Sequence, residues 1–463
     1  MAKKPIIKFV CQECGYDSPQ WMGKCPECGE WNTMKEFKVS RTQNTTAVGY
    51  AGASQTAAKP QKLKEIAYKE TSRIQTKYQE LNTVLGGGIV RGSVSLIAGD
   101  PGVGKSTLLL QLAISLSAHS NQKVLYVSGE ESVEQIKMRA ERIAASIDAT
   151  QGQKKKQTKT VETYDSLDTL SLLALADADA ICEQIADMKP DLVIVDSIQT
   201  IESQNVSGLA GSVGQVRYGA LQFTRIAKQY NIPILIVGHV TKEGTVAGPM
   251  VLSHMVDTVL FLEGEKFAKT RILRSLKNRF GPVDEVGIFL MEEEGMQEAT
   301  SPEQLFLTSG NDQTPGSVLV STLEGSRAFL VELQALAVTT RLPMPRRVVS
   351  GVDARRVELL LAVLQKHCRV PVDSMDVFVN VAGGIKLADP GIDLGICLAV
   401  YSSIKDIAIS QTVGIAEVGL QGELRKVTGL EKRIKEAEKL GYKQVITAKE
   451  YRSLKDVLQQ FGK

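Results

Sequence analysis

Residues 99–106 read Gly-Asp-Pro-Gly-Val-Gly-Lys-Ser, which matches the P-loop pattern G-x-x-x-x-G-K-[ST] at every fixed position. A short apolar run over residues 94–98 precedes the motif, and a run typical of a helix follows over residues 106–113. In such a loop the glycines let backbone N–H groups face the phosphates. The lysine reaches the β- and γ-phosphates, and the serine hydroxyl binds Mg²⁺. The stretch therefore predicts binding of a nucleoside triphosphate, which we take to be ATP, with Mg²⁺. The predicted nucleotide-binding residues are Gly99, Asp100, Pro101, Gly102, Val103, Gly104, Lys105, Ser106 and Thr107.

The composition is that of an ordinary globular protein. The 463 residues are 43% apolar and 23% charged, and this length gives a prior of about three domains. The sequence has no apolar run long enough to span a membrane and no N-terminal apolar signal region, so we expect neither membrane association nor export. Cys182, Cys368 and Cys397 fit isolated core thiols of a reducing compartment, and we expect a cytoplasmic location. The net charge of +3 neither requires nor excludes a nucleic-acid partner.

Four cysteines near the N-terminus form two Cys-x-x-Cys-Gly turns separated by ten residues: Cys11, Cys14, Cys25 and Cys28. Four thiolates suit a closed tetrahedral site, so the spacing predicts a structural Zn²⁺ ion. Two redox-active pairs are the alternative, although the segment is too short for a thioredoxin-like core. Trp21 and Trp31 flank the second turn. We expect them to cover the small core of this finger, with stacking on nucleic acid as the other interpretation.

The remaining chain divides by composition. Residues 40–70 begin rich in Thr, Ala, Gln, Gly and Ser and predict a flexible linker after a finger over residues 1–39. Residues 71–300 alternate apolar runs with helical patterns, which predicts a doubly covered, mostly parallel sheet. Residues 301–463 form a further α/β domain. The predicted strands of the central domain are residues 94–98, 124–127, 192–196, 234–238 and 258–262.

Three acidic or polar residues follow predicted strands of the central domain. Asp196 ends an apolar strand and fits a Walker-B carboxylate that holds Mg²⁺ through water. A carboxylate in the segment Val-Ser-Gly-Glu-Glu-Ser can orient the attacking water, and we assign this role to Glu130. The alternative for one of the two glutamates, Glu130 or Glu131, is to stabilise the N-terminus of the next helix. His239 follows a further strand beside the expected γ-phosphate position. The loop after it contains Lys242, and it is either a DNA-contacting loop or an ordinary surface loop.

The order of these motifs resembles the RecA-type ATPase core. A Lys-Asn-Arg-Phe-Gly box at residues 277–281, behind a four-cysteine finger and a P-loop, resembles more specifically the RadA (Sms) family of bacterial DNA repair proteins. The resemblance covers essentially the whole chain. It implies that the box is required for function. Lys277 and Arg279 would either reach the γ-phosphate of a neighbouring subunit or contact DNA. A basic turn without either role is the alternative.

Residues 388–395 and 423–432 fall where the proteolytic domain of Lon carries its serine and lysine dyad, and the C-terminal domain resembles that domain. The segment 388–395 contains no serine, and Ile392 or Asp393 stands in the place of the nucleophile. Glu431 falls where the lysine aligns, with Lys432 one position later. Since the chemistry needs a hydroxyl and a nearby amine, we expect a Lon-like fold without protease activity.

A basic segment lies within this domain. Residues 341–369 contain seven cations against two acids, a local net charge of +5. Arg346 and Arg347 lie in a stretch stiffened by two prolines, and we expect them to contact DNA. A solvated face with ion pairs between subunits is the alternative.

Together these features predict an α/β protein with a zinc ribbon-like finger, a RecA-like core and a Lon-like domain. The predicted function is that of an ATP-driven motor on single-stranded DNA in homologous recombination. The resemblance implies a homo-oligomeric, hexameric ring, branched DNA as substrate and the RecA recombinase as partner. A non-motor ATP switch and an ATP-dependent protease are the alternatives.

Overall fold

The computed structural model describes most of the chain outside the predicted linker. The described residues are 6–11, 17–18, 20–26, 29, 31–39, 73–150, 167–239, 249–264, 269–293, 295–299, 307, 314–341, 344–442 and 444–462. Cys14, Cys28, Lys242 and the predicted linker lie outside them.

The described strands are, in chain order, β1 (Ile6–Cys11), β2 (Asp17–Ser18), β3 (Met34–Val39), β4 (Arg73–Ile74), β5 (Ile89–Val90), β6 (Val94–Gly99), β7 (Val124–Ser128), β8 (Leu170–Ala174), β9 (Leu192–Asp196), β10 (Ile234–His239), β11 (Thr258–Glu263), β12 (Thr270–Asn278), β13 (Val286–Glu292), β14 (Gly295–Glu298), β15 (Ser317–Glu324), β16 (Arg327–Thr339), β17 (Arg347–Ser350), β18 (Met375–Val381), β19 (Thr412–Ile415), β20 (Glu417–Val418), β21 (Leu424–Arg425) and β22 (Gln444–Thr447). The described α-helices are α1 (Gln79–Val84), α2 (Lys105–Ser120), α3 (Val133–Thr150), α4 (Ala178–Met188), α5 (Val213–Tyr230), α6 (Pro249–Ser253), α7 (Ala354–Cys368), α8 (Asp393–Lys405), α9 (Leu430–Lys439) and α10 (Leu454–Phe461). No helix among the described residues is both long enough and apolar enough to cross a membrane.

The N-terminal finger is a small antiparallel sheet with strand order β2-β1-β3. Cys25 and Met34 are buried in its core, and Phe9 and Met22 pack against them. The expectation that the two tryptophans cover this core was wrong, because Trp21 is 55% exposed and Trp31 is 68% exposed. Met34 and Phe9, which lie on paired strands, fill the space instead.

The described chain forms two compact units. The first comprises residues 1–77, 85–261 and 277–281, and the second comprises residues 78–84, 262–276 and 282–463. The predicted domain boundary at residue 300 lies next to residues 301–306, which are outside the description, and it remains a prediction.

In the first unit, five parallel strands lie in the order β6-β10-β9-β7-β8, and β11 borders β6. Strands β6, β7 and β9 are buried along their whole length. The predicted strands are confirmed to within one residue at each end, because continuous apolar runs of this kind form strands covered on both faces. The carboxyl ends of these strands meet at one edge of the sheet, and this edge carries the candidate site.

The second unit is built on a mixed six-stranded sheet in the order β17-β18-β16-β15-β19-β22. Helix α8 is buried from Asp393 to Ser402 and packs against β15 and β16. Strands β12, β13 and β14 form an antiparallel meander, of which residues 270–276 of β12 belong to this unit. The unit therefore has its own apolar core.

Candidate functional site

The P-loop joins β6 to α2 and depends on glycines at positions with positive φ. Gly102 has φ of 78° and Gly104 has φ of 111°, a backbone conformation that other residues rarely adopt. A Cβ atom at Gly102 would meet no atom within 4 Å, so it is the backbone conformation that requires this glycine. Helix α2 begins at Lys105, directly after the loop. The loop therefore presents its backbone at a helix N-terminus, where phosphate groups bind favourably.

Lys105 is buried, and its ammonium group lies on the loop itself. Nζ donates hydrogen bonds to the carbonyl oxygens of Gly99, at 2.8 Å, and Asp100, at 2.9 Å. Burial lowers the pKa of Lys105 from 10.5 to about 8, against the opposing effects of nearby carboxylates, of which Asp196 has the largest. A phosphate group would restore the charge that burial disfavours.

Asp196 ends β9, and a tyrosine on the neighbouring strand holds its carboxylate. The hydroxyl of Tyr126, in the middle of β7, donates a hydrogen bond of 2.6 Å to Oδ2 of Asp196. Burial, and secondly the charge of Asp196, raises the pKa of Tyr126 well above its ordinary value, so the hydroxyl stays protonated and remains a donor. Arg139 of α3 reaches the same hydroxyl at 3.4 Å.

The two glutamates after β7 have different partners. Oε1 of Glu130 accepts a hydrogen bond of 2.6 Å from the hydroxyl of Ser197, the residue that follows Asp196. Glu131 instead forms an ion pair of 2.9 Å with Arg139. The start of α3 is capped by neither glutamate, because Ser132 and Gln135 exchange hydrogen bonds between side chain and backbone there. Glu130 is thus the carboxylate at the edge of the sheet beside Asp196.

His239 ends β10 and lies opposite Gly99, the first residue of the P-loop, in the parallel register of β10 and β6. Its Nε2 atom is 3.8 Å from Oε1 of Glu130. Burial and the charge of Lys105 lower the pKa of His239, so the ring is neutral at pH 7. Among the described residues, its buried Nδ1 atom and the buried Oε1 atom of Gln199 have no hydrogen-bond partner. Gln199 donates from Nε2 to the carbonyl oxygen of His239 at 3.2 Å. The strand end is therefore linked to the segment that follows the Walker-B aspartate.

The Lys-Asn-Arg-Phe-Gly box lies at and after the end of β12, within the first unit. Nζ of Lys277 donates to the carbonyl oxygens of Ser253, at 2.5 Å, and Val256, at 2.8 Å. Burial, and secondly the charge of Arg279, lowers the pKa of Lys277. The ammonium group of Lys277 therefore stabilises the chain before β11.

Arg279 is held differently. Its Nη1 atom lies 3.2 Å from Oδ1 of Asp257, and its side chain remains 53% exposed. Oδ2 of the buried Asp257 accepts a hydrogen bond of 3.1 Å from the backbone N–H of Val94, the first residue of β6. Val94 and Gly99 lie at opposite ends of β6. Arg279 is thus anchored at the edge of the sheet away from the P-loop of its own chain, a placement that the sequence motif alone did not reveal.

Comparison with known proteins decides the family. The chain is 46% identical to the DNA repair protein RadA of Bacillus subtilis (strain 168) over 96% of its own length and 92% of that protein. It belongs to the RadA family. The RadA of Halalkalibacterium halodurans is likewise 46% identical, over 96% of this chain and 93% of that protein. Among solved structures, the RadB recombinase has a TM-score of 0.37 and 22% identity, and covers 49% of this chain and 99% of its own.

Family models match three parts of this RadA-family chain. Residues 57–245 match an AAA domain, residues 9–36 match a rubredoxin metal binding domain, and residues 345–451 match subunit ChlI of Mg-chelatase. The fold is therefore α/β, with an N-terminal zinc ribbon, a RecA-like ATPase core and a C-terminal domain like those of ChlI and Lon.

The residues present fit the two metal ions that this fold implies. In the finger, Cys25 is buried, the N–H of Gly29 donates to its carbonyl oxygen at 2.9 Å, and Gly29 has φ of 77°. This is the glycine-relieved turn expected of a cysteine knuckle, and Cys11, Cys14, Cys25 and Cys28 would hold Zn²⁺. At the P-loop, the Ser106 hydroxyl and the Asp196 carboxylate would supply oxygen ligands of the kind that Mg²⁺ prefers.

In the C-terminal domain of this RadA-family chain, the side chains at the positions of the Lon dyad make structural contacts. Of the two residues that stand in the place of the nucleophile, Ile392 is buried, and Asp393 is buried at the start of α8 and forms an ion pair with Arg356. Burial raises the pKa of Asp393, whereas hydrogen bonds from Arg356 and from the N–H of Val418 lower it. Glu431 pairs with Lys449, and Lys432 donates to the carbonyl oxygen of Ser326 at 3.2 Å. The side chains of Asp393, Glu431 and Lys432 therefore make structural contacts.

The basic segment is partly neutralised by residues outside it. Arg346 lies 3.3 Å from Asp376 but keeps 64% of its side chain exposed. The guanidinium group of Arg347 donates to backbone carbonyl oxygens, including that of Val372 at 2.6 Å. Arg346 is therefore the member of the predicted pair that is free to meet a further anion, and the DNA contact of both remains a prediction.

Proposed function

We propose that this chain is an ATP-driven DNA motor of the RecA type that acts in recombination and repair. The observation that carries the proposal is the position of Glu130. Its carboxylate accepts from Ser197 and lies 3.8 Å from His239, at the sheet edge where the P-loop begins. A carboxylate placed in this way can take a proton from water that attacks the γ-phosphate.

The surrounding groups would bind the phosphates and Mg²⁺ and would respond to loss of the γ-phosphate. Lys105 would stabilise charge on the β- and γ-phosphates, and Ser106 and Asp196 would hold Mg²⁺, which neutralises charge on the transferred group. His239, neutral at pH 7, would change its contacts when the γ-phosphate is lost. Its backbone contact with Gln199 supports transmission of that change along the segment after β9.

The motor part of the proposal rests on the family and on Arg279. RecA-type cores bind ATP between subunits, so we propose a homo-oligomeric ring, hexameric by resemblance to the family. Because Arg279 is anchored away from its own P-loop, a role at a phosphate requires the nucleotide of a neighbouring subunit. The relatives are named DNA repair proteins, which supports DNA as the substrate. By resemblance to the family, we propose single-stranded and branched DNA as its form and the RecA recombinase as partner. Lys242, in the sequence segment after β10, would contact DNA.

Strand displacement on forked DNA tests the motor directly. We expect displacement with ATP and none with a non-hydrolysable analogue. Glu130→Gln should bind ATP and DNA without displacement. Glu131→Gln, which changes a glutamate paired with Arg139, is the matched control and should retain displacement. ATP hydrolysis with DNA-dependent conformational change but no displacement would instead show a non-motor switch. ATP-stimulated cleavage of unfolded polypeptide would show a protease.

A further inference from the structure

The finger exposes both of its tryptophans on one part of its surface. A Cβ atom at Gly23 would lie 3.6 Å from the ring of Trp21 and 3.9 Å from the ring of Trp31. The two indoles therefore border the same point, and the absence of a side chain at Gly23 keeps the space between them open. We call Trp21, Gly23 and Trp31 the tryptophan face.

The tryptophan face is not needed for the core of the finger. Cys25, Met34, Phe9 and Met22 form that core. The indole N–H of Trp21 donates to the carbonyl oxygen of Met34 at 3.1 Å, which orients this ring while leaving it 55% exposed. Two large aromatic rings held at the surface of so small a domain point to a ligand.

A positively charged side chain lies beside the tryptophan face. Lys24 pairs with Trp31 across an antiparallel bridge, and its ammonium group lies 5.6 Å from the centre of the Trp31 ring. Among the exposed residues that the structure describes between positions 20 and 32, Lys24 is the charged one. Flat aromatic rings beside a positive charge are the combination with which proteins bind unstacked bases and the phosphates between them.

We propose that the tryptophan face binds single-stranded DNA by stacking bases on Trp21 and Trp31, with Lys24 beside a phosphate. The inference rests on the proposed function, in which the chain acts on single-stranded DNA. It adds a further DNA-contacting surface, outside the ATPase core and the basic segment. A docking surface for a protein would need a larger continuous apolar patch, whereas Gln20 and Asn32, the sequence neighbours of the two tryptophans, are polar and exposed.

The chain offers an unusually direct test, because Trp21 and Trp31 are its only tryptophans. Tryptophan fluorescence of the whole chain, excited at a wavelength that tyrosine does not absorb, therefore reports on the finger alone. We expect a thymidine oligonucleotide to quench this emission, in the absence of ATP. An oligomer of the same length with abasic sugars, which keeps the phosphates but removes the bases, should bind more weakly and quench less.

Variants separate stacking from folding. Trp31→Ala should weaken binding of the thymidine oligonucleotide by about 5- to 150-fold, the range for loss of one base–aromatic stack. Trp31→Phe, which keeps a ring, should restore much of the affinity. Leu420→Ala removes an equally exposed apolar side chain of the second unit and should change nothing. Equal Zn²⁺ content in the variants would show that the finger remains folded.

A labelled oligonucleotide, followed by anisotropy, measures binding to the whole protein independently. If anisotropy shows binding while tryptophan emission is unchanged, the finger does not contact DNA and the proposal is wrong. Equal quenching by the abasic oligomer would reduce the contact to phosphate alone and also overturn it. Quenching by added recombinase protein, and not by DNA, would assign the face to a protein partner. Absence of any binding by anisotropy, both with and without ATP, would refute the proposed function itself.

Discussion

Tyr126 donates a hydrogen bond of 2.6 Å to the Walker-B carboxylate of Asp196, across two neighbouring strands of the central sheet. Both side chains are buried. The bond occupies Oδ2, which orients the carboxylate and leaves Oδ1 for water or Mg²⁺. We therefore propose that Tyr126 is a positioning residue, which would act through Asp196.

Tyr126→Phe should raise the Mg²⁺ concentration needed for half-maximal ATPase activity. A hydrogen bond to a charged group contributes about 1.5–3 kcal/mol, so we expect an increase of about 10-fold or more. The measurement is ATPase rate against Mg²⁺ concentration. Tyr218→Phe is a matched control, since Tyr218 donates at 2.9 Å to Asp179 outside the site. A loss of thermal stability equal in the two variants, with no change in Mg²⁺ dependence, would contradict the positioning role.

Glu130→Gln and Glu131→Gln should separate catalysis from structure. We expect Glu130→Gln to lower turnover by about 10²- to 10⁴-fold, as for loss of a general base, while ATP still binds. Glu131→Gln weakens only the ion pair with Arg139 and should keep turnover within a few-fold. Single-turnover hydrolysis and nucleotide binding check both. Equal effects of the two substitutions would show that Glu130 has no special role.

The parts of the site that the sequence predicted are local, and those that it missed are long-range. The P-loop and the parallel strands follow from consecutive residues, such as the apolar run of β6. Tyr126 meets Asp196 across 70 positions of sequence, and Ser197 meets Glu130 across 67. Only the strand order brings such pairs together. An –OH group inside an otherwise apolar strand was the available signal for Tyr126, since a buried hydroxyl needs a partner.

In the finger, the sequence-based prediction was wrong about which side chains form the core. Burial of tryptophan was expected from its large apolar surface, but a sheet of three short strands has too little interior for two indoles. Smaller side chains, such as Met34, fill it instead. In the C-terminal domain, the sequence predicted the missing nucleophile, whereas the pairing of Asp393 with Arg356 emerged only from the fold.

Lys105 predicts a pH dependence of nucleotide binding. Its pKa of about 8 lies below the ordinary 10.5. Between these values the unfolded chain holds a proton that the folded chain has lost, so this group makes the protein more stable as pH rises through that window. Nucleotide binding has the opposite sign, because phosphates require the charged ammonium group. The dissociation constant for ATP should rise by up to about tenfold per unit above pH 8.

The dependence can be checked by titration of nucleotide between pH 7.5 and 9.5, with calorimetry in buffers of different ionisation enthalpy. Binding above pH 8 should take up a proton. Lys105→Ala should bind weakly and without this slope. A constant affinity across the range, with no proton uptake, would show that Lys105 remains fully charged in the free protein.

Arg346 and Asp376 should act on DNA affinity in opposite directions. Arg346→Ala should flatten the dependence of log affinity on log salt by about one unit per subunit if this residue contacts a phosphate. Arg346→Lys should keep the slope. Asp376→Asn removes the competing carboxylate and should raise affinity. Arg347→Ala, by contrast, should lower stability more than the slope, since its guanidinium group is bonded to carbonyl oxygens. Equal slopes in all variants would support the alternative, in which the segment is a solvated face with ion pairs between subunits.

Arg279 provides a test of the trans arrangement. Asp257 ties it to Val94 at one end of β6, whereas the P-loop begins at Gly99 at the other end. Five residue steps of about 3.3 Å each separate these ends, or about 17 Å. Arg279→Ala should therefore keep nucleotide binding and lose DNA-stimulated turnover, by about 10³-fold or more if the residue is an arginine finger.

Mixing variants distinguishes the two roles of Arg279. Lys105→Ala subunits lack a working P-loop but keep Arg279, and Arg279→Ala subunits have the reverse defect. In a mixed ring, the P-loop of an Arg279→Ala subunit meets the arginine of a Lys105→Ala neighbour, so ATPase activity should partly recover with a maximum near equal proportions. Mixtures of Lys105→Ala with Glu130→Gln subunits are the control and should stay inactive, because both defects lie on the same side of the interface. If mixed rings form and activity does not recover, Arg279 contacts DNA rather than the neighbouring nucleotide.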